Sequence, residues 1–344
     1  MSVSYSANAV LGKAHAMYSK KLTEQNYNDM VNCRSLNELV AYIKTRTSYS
    51  SAFDVAVQNI TASQIQELLG NSLLNKIEIL CKYEASIGEN FYKYFIVENE
   101  IKQILTVIRL LARGTPEKYL SVLPAFFSKR ARIDLFSFVN VRSFENLLDV
   151  LKDSDYEEIL KPYINLYKQK DFYLRIEADL NRYLHSILLD IIKNSSTKKD
   201  KKEIHDLANY KFDMETISNI YRLIRINESE SNFIKNYIDT EFTNFSQKEI
   251  DMLVNSDYAR DMVRLIPNTF YKKDFAKVDY NYLEGATQKM AYLKFSKCFR
   301  YSTSPAAVMF SYIYLMENEV QNIVHIAEGI KNNIEPEKIS AVLI

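Results

Sequence analysis

Glycine and proline are scarce in this chain, six of each in 344 residues, and tryptophan is missing altogether. An α/β enzyme of this length carries about 7% glycine, roughly two dozen residues, because phosphate loops and tight βα turns consume it. The shortage argues against a nucleotide-binding α/β fold before any motif is sought. Cys33, Cys81 and Cys298 are odd in number and far apart, so neither a disulfide framework nor a CxxC metal knuckle is expected; they read as reduced, buried thiols. No charge of one sign dominates: 44 Lys and Arg face 43 Asp and Glu, a net charge of +1. That balance excludes a nucleic-acid groove spread over the surface and leaves room only for local patches. Long apolar runs are also lacking. The best charge-free stretch, Tyr301 to Met316, is too short to span a bilayer and contains three serines, a threonine and a proline. The N-terminus has no basic segment followed by an apolar run, so no secretory signal is expected. The chain reads as cytosolic in character, with room for a partner to hold it at a membrane.

What is present is helical. Hydrophobic residues make up 47% and charged residues 25%, a globular composition. The 25 tyrosines and 18 phenylalanines suit helix packing and partner surfaces. Ile101, Ile104, Leu105, Ile108 and Leu111 recur at the spacing of one helix face, and so do Leu180, Tyr183, Leu184, Ile187, Leu188 and Ile191. Val320, Ile323, Val324 and Ala327 repeat the pattern, and no sustained period-2 alternation appears. Breakers at Gly114-Thr115-Pro116, Asn194-Ser195-Ser196, Pro267-Asn268 and Ser304-Pro305 separate the runs. The Lys198 to Glu203 stretch reads as a solvated loop. The expected fold class is all-α.

Two motifs repeat at long intervals. The first, a serine, an acid or amide, an apolar run and a closing tyrosine, ends at Tyr49, Tyr156 and Tyr258, intervals of 107 and 102 residues. Ser35 with Glu38 and Ser246 with Glu249 have capping-box spacing, so each copy predicts a short helix with a fixed start. The second motif is an acid ahead of an apolar stripe: Glu100, Asp213 and Glu319, spaced by 113 and 106 residues. Ile101, Met214 and Val320 follow, then Gln103, Thr216 and Asn322, then Ile104, Ile217 and Ile323. Arg109 and Arg222 coincide, with Glu328 in the third copy. Two motifs recurring at roughly 105 residues imply three similar helical units. The boundaries expected are 1–97 with 314–344, 98–205 and 206–313, related by a pseudo-threefold arrangement, with a first helix over Tyr5 to Leu22.

Catalytic signatures do not appear. Gly12-Lys13 lacks the upstream glycine of a phosphate loop, and GxGxxG, GxSxG and HExxH do not occur. His15, His185, His205 and His325 stand singly and read as helix-face or core residues. Glu98 with Glu100 and Glu317 with Glu319 suggest acid-base pairs, but their expected place at helix starts gives a simpler cause in the helix dipole. Arg109, Arg113, Arg222 and Arg225 form short basic clusters at helical spacing. They read either as a solvated face or as a docking surface for an acidic partner. No catalytic, cofactor or metal site is expected, and no small-molecule substrate.

These residues are also recognisable together. YSANAVLGKAHAMYSKKLTEQNY from Tyr5 to Tyr27, with SLNELVAYIKTRTSY behind it, resembles the start of the C-type stalk subunits of V-type (A-type) ATP synthases, whose eukaryotic vacuolar counterpart is the d-type subunit. IVENEIKQILTVIRLLARG from Ile96 to Gly114 and DLANYKFDMETISNIYRLIR from Asp206 to Arg225 are similar to further segments of that family. So is YLMENEVQNIVHIAEGIKNNIEPEKI from Tyr314 to Ile339. The resemblance runs through essentially the whole chain; Lys13 stands alone where the family's first helix usually has arginines. It implies a funnel of three helical domains on the cytoplasmic face of the membrane rotor ring, receiving the foot of the central shaft. It implies a non-catalytic member of the complex that passes torque between shaft and ring, serving ATP synthesis or hydrogen-ion or sodium transport, without insertion into the membrane itself. The alternatives weighed are a helical-repeat adaptor or scaffold binding a protein partner, whose repeats would be ~35 to 45 residues, and an all-helical enzyme, which would need clustered titratable groups.

Overall fold

The computed structural model describes residues 2–53, 60–83, 87–122, 125–167, 172–195, 197–225, 242–276 and 283–344. Among them every regular element is a helix and no strand occurs, as the periodicity requires. The main helices begin with α1 (Ser2–Tyr18), α2 (Glu24–Val31), α3 (Leu36–Arg46), α4 (Ala62–Cys81) and α5 (Gly88–Ala112). They continue with α6 (Phe144–Val150), α7 (Phe172–Asn194), α8 (Lys198–Arg225) and α9 (Gln247–Val254). Last come α10 (Leu283–Tyr301), α11 (Pro305–Lys331) and α12 (Pro336–Ser340).

The starts follow from side chains that answer orphan backbone donors. Ser35, Ser143 and Ser246 each cap a helix by accepting from the N–H three residues on. Glu249 completes the capping box by accepting from the Ser246 N–H, whereas Glu38 reaches one residue further back, to the Arg34 N–H at 2.8 Å. The Lys198 to Glu203 stretch is not a loop but the first turns of α8. Thr197 Oγ1 accepts from the Asp200 N–H at 3.0 Å and donates to Asp200 Oδ2 at 2.7 Å, a helix cap that the lysine-rich composition conceals.

The chain divides into two compact units. One comprises Ser19–Ile191 and Ile323–Ser340. Here α4 packs on α5, burying Leu69, Leu73, Ile77 and Leu80 with Phe91, Ile101, Ile104 and Ile108. Each such side chain contributes about 1.5–3 kcal/mol when removed from water. In the same unit α12 packs on α2, and its Ile339 seats against Gly329 of α11. A Cβ at Gly329 would stand 2.6 Å from Ile339 Cδ1 and Cγ1, so the glycine is what allows this approach.

The other unit comprises Met1–Tyr18, Ile192–Asn322 and Ala341–Ile344. Here α8 packs along α10, and Phe295 of α10 stacks on Tyr314 with ring centroids 4.1 Å apart. His15 and Tyr18 of α1 lie against Phe299, at 4.6 and 4.5 Å. Asn322 clasps the Ile344 backbone, donating from Nδ2 to its carbonyl at 2.7 Å and accepting from its N–H at 3.1 Å.

Two glycine substitutions therefore act in opposite directions. Gly329→Ala is expected to lower stability by about 1–3 kcal/mol through overpacking against Ile339. Gly12→Ala, in a helix with nothing within 4 Å of the added Cβ, is expected to raise it by about 0.5–1 kcal/mol. Urea unfolding midpoints of the two variants check the pair.

Buried carboxylate locks and a candidate partner interface

Glu100 sits in the middle of α5 with no exposed surface. Its Oε1 accepts from the backbone N–H of Arg132. Its Oε2 accepts from Arg132 Nε at 3.0 Å and Nη2 at 2.9 Å, and from the Tyr156 hydroxyl at 2.5 Å. Arg132 Nη2 also donates to the Tyr156 oxygen at 2.8 Å. Burial and the adjacent Glu100 charge push the Tyr156 hydroxyl far above its ordinary value, so it remains a donor. At the rim, Tyr183 packs edge-on against Tyr156 at 5.7 Å and donates to Asp155. Burial and that bond push Tyr183 up to about 12.

The other unit repeats the device around Asp213 of α8, which is 1% exposed. Its Oδ1 accepts from Thr243 Oγ1 at 2.5 Å. Its Oδ2 accepts from the Asn244 N–H at 2.8 Å, Asn244 Nδ2 at 3.2 Å and the Tyr271 hydroxyl at 2.6 Å. The donors described around this carboxylate are all neutral, and burial outweighs their hydrogen bonds and raises the Asp213 carboxyl. Tyr210 and Phe245 pack edge-on against Tyr271, at 5.1 and 5.3 Å.

The spacing within the two locks is nearly the same. The backbone N–H comes 32 residues after Glu100 and 31 after Asp213, and the tyrosine 56 and 58 residues after. Glu319, third in the sequence register, is buried at 6% exposure within α11. These acids therefore do not complement a helix start: Glu98 and Glu100 lie well inside α5, and Glu317 and Glu319 well inside α11. The tyrosine of the third sequence copy also needs correcting. Tyr258 is 62% exposed, and Tyr271 occupies the buried role that Tyr156 plays, because the chain after Tyr258 turns once more before reaching the core.

The four arginines fall at matching places. Arg109 is in the last turn of α5 with Arg113 just beyond it, and Arg222 and Arg225 are in the last turn of α8; all are exposed. Arg109 Nη2 donates to the Tyr173 hydroxyl at 2.9 Å and Arg225 lies 5.6 Å above the Tyr221 ring. Arg222 Nε is 3.7 Å from Glu284. Arg109 and Arg113 belong to one compact unit, Arg222 and Arg225 to the other. Sequence reasoning missed Glu100 and Asp213 as structural hubs and had no view of Arg132 or Tyr271. The available signal was an acid isolated in an apolar stripe at the same register. Cys33, Cys81 and Cys298 form no disulfide; Cys81 is buried, the other two are half-buried, and burial raises Cys33 to about 11. Among the described residues no three His, Cys, Asp or Glu side chains cluster as a metal site, and no helix is long and apolar enough to cross a membrane.

Fold and locks together define an all-helical protein in which one helix-to-loop device is built at two places along the chain. The family model described as ATP synthase (C/AC39) subunit matches residues 10–342, and the chain belongs to that family. Among its relatives is the A-type ATP synthase C subunit of Thermococcus onnurineus (strain NA1), 23% identical over 338 residues, covering 95% of this chain and 87% of the relative. The protein of the same name from Desulfurococcus sp. (strain SY) is 22% identical over 331 residues, 94% of this chain and 86% of the relative. That of Thermococcus kodakarensis (strain ATCC BAA-918 / JCM 12380 / KOD1) is 22% identical over 339 residues, 95% and 87%.

The pH dependence of the second lock has a definite sign. Asp213 is raised in the fold, so its contribution to stability is full below the ordinary carboxylate value and is lost as pH rises through its raised value. Glu249 is the opposite case. Burial opposes its charge, but bonds from Ser246 and the Phe270 N–H outweigh it and hold the carboxyl low, so its contribution is present above the ordinary value and lost as pH falls. Relative to the parent, Asp213→Asn is expected to gain stability between about pH 3 and pH 7 while Glu249→Gln loses it. Denaturant unfolding across that range reads both slopes.

Proposed function

We propose that this chain is a non-catalytic coupling element in the central stalk of a rotary V-type (A-type) ATPase or ATP synthase. It links the central shaft to the membrane rotor ring and carries torque between them. The observation that carries this reading is the match to an ATP synthase subunit family along residues 10–342. Relatives that cover 94–95% of the chain bear the name of such a subunit. In this reading the chain lies on the cytoplasmic face of the membrane, and its partners are the shaft subunits and the ring.

The proposed body is three similar helical units, 1–97 with 314–344, 98–205 and 206–313, arranged as a funnel. The paired locks at Glu100 and Asp213, with buried Glu319 in the same register, support the repeat. A part that transmits torque must not deform under load, and close-packed helices tied by buried hydrogen bonds meet that demand. Its docking surfaces are proposed to include Arg109, Arg113, Arg222 and Arg225, whose exposed guanidinium groups suit an acidic partner.

The test is co-assembly of the purified chain with shaft and ring subunits, followed by ATP-driven ion uptake in vesicles. Omitting the chain is expected to leave ATP hydrolysis by the soluble head while abolishing uptake. The double reversal Arg109→Glu with Arg222→Glu is expected to weaken assembly at least about tenfold with the circular dichroism of the isolated chain unchanged. Full ion uptake without the chain would refute the coupling role, and unaltered assembly of the double variant would remove the arginines from the interface.

A further inference from the structure

We propose that the lysine-covered start of α8, with the adjoining end of α10, is a docking surface for an anionic lipid bilayer. The first turns of α8 read Lys198-Lys199-Asp200-Lys201-Lys202-Glu203. The positive end of the helix dipole favours acids there and disfavours lysines, so these four cations oppose the helix they begin. An i,i+4 pairing with Glu203 gives Lys199 a place in the helix, but the dipole gives no reason for Lys198, Lys201 and Lys202.

The two acids of the run are turned inward. Asp200 is 7% exposed, accepts from the Ser304 hydroxyl and bonds Thr197. Half-buried Glu203 accepts from the Ser302 hydroxyl and lies 3.6 Å from Lys199. What faces water is therefore Lys198, Lys199, Lys201 and Lys202, all exposed. Lys199 Nζ donates to Thr303 Oγ1 at 2.6 Å, which brings the end of α10 alongside, with its exposed Lys297 and Arg300. Beside them Tyr301 is 76% exposed. All of these residues lie within one compact unit.

Lipid fits this surface better than an acidic protein segment. Lysines are flexible point charges without the planar fork that matches a carboxylate in register, and only Arg300 supplies one. Phosphate headgroups need no register, because each cation near an anionic leaflet adds its share. An exposed tyrosine settles at headgroup depth. The neighbouring cleft of about 460 Å³ carries both signs, Glu203 and Asp206 with Lys294 and Lys297, and so is poorly suited to hold a free anion.

Co-sedimentation of the full chain with vesicles tests the assignment. Phosphatidylcholine vesicles containing about 30 mol% phosphatidylglycerol are expected to bind the chain at about 50 mM salt and release it at about 500 mM, and pure phosphatidylcholine is expected to bind none. Lys198→Gln with Lys201→Gln and Lys202→Gln should lower partitioning at least about tenfold while helicity and melting temperature are kept or raised. Each single substitution should lower it by a few-fold, which preserves the test if the triple variant is poorly behaved. Lys82→Gln with Lys102→Gln, exposed lysines of the other unit, should bind as the parent does. Binding to neutral vesicles, undiminished binding of the triple variant, or binding to polyglutamate with none to anionic vesicles would overturn the proposal.

Discussion

A carboxylate enclosed in a helical core must have its lone pairs answered, because a buried charge left without partners costs several kcal/mol. Glu100 and Asp213 meet that condition in the same way, with one backbone N–H from a loop and one tyrosine hydroxyl from further along the chain. The requirement fixes more than the side chains. A loop whose N–H must reach a particular oxygen has little freedom of position, and the tyrosine that closes the lock brings a second segment with it. The two versions differ in how the charge is balanced. Glu100 has the Arg132 guanidinium, whereas Asp213 relies on neutral donors, and burial raises its carboxyl above the ordinary value. The shorter aspartate is reached by the hydroxyl and amide of Thr243 and Asn244 rather than by a long cation.

Such locks bear on stiffness. Ordinary helix packing resists sliding only through side-chain interdigitation, and local opening begins where few buried contacts cross between segments. A hydrogen-bonded hub in low dielectric ties helix, loop and tyrosine into one cooperative element, since losing any donor strands the others. That property suits the load-bearing role proposed above, and so does the scarcity of glycine, which leaves few points of backbone freedom. Gly329 is one of the few, and it is placed where a helix must approach within side-chain contact.

Most of the fold is legible in the sequence, and the part that is not has physical causes. Helix class follows from periodicity, and the caps at Ser35, Ser143 and Ser246 follow from spacing, because both depend on residues a few positions apart. The role of Glu100 does not follow. An acid ahead of an apolar stripe looks the same whether it opens a helix or lies in its middle, and α5 begins about three turns earlier, at Gly88. Arg132 and Tyr271 are invisible because their partners lie 32 and 58 residues away, beyond any local pattern. Tyr258 matches the motif, but an extra turn of chain moves the buried role onward. The lysine run reads as a loop because its composition argues for solvent, and exposure to solvent is compatible with helix.

The arginines show where repetition ends. Arg109 and Arg222 occupy the same register and close helices whose negative dipole ends attract cations, which accounts for their sign. It does not account for their conformation. A cation serving only the dipole needs no partner, yet Arg109 is held by Tyr173 and Arg222 stands near Glu284. Exposed pairs of this kind contribute little to stability, so these contacts fit the docking role proposed above, in which the remaining N–H groups stay available to a partner. At the same register the third copy carries Glu328, paired at 3.1 Å with Lys331. Positions in one sequence register thus carry charges of different sign. If the arginines dock a partner as proposed above, a partner matched to Arg109 and Arg222 would meet the wrong sign at Glu328, and that difference would give it a single docking register.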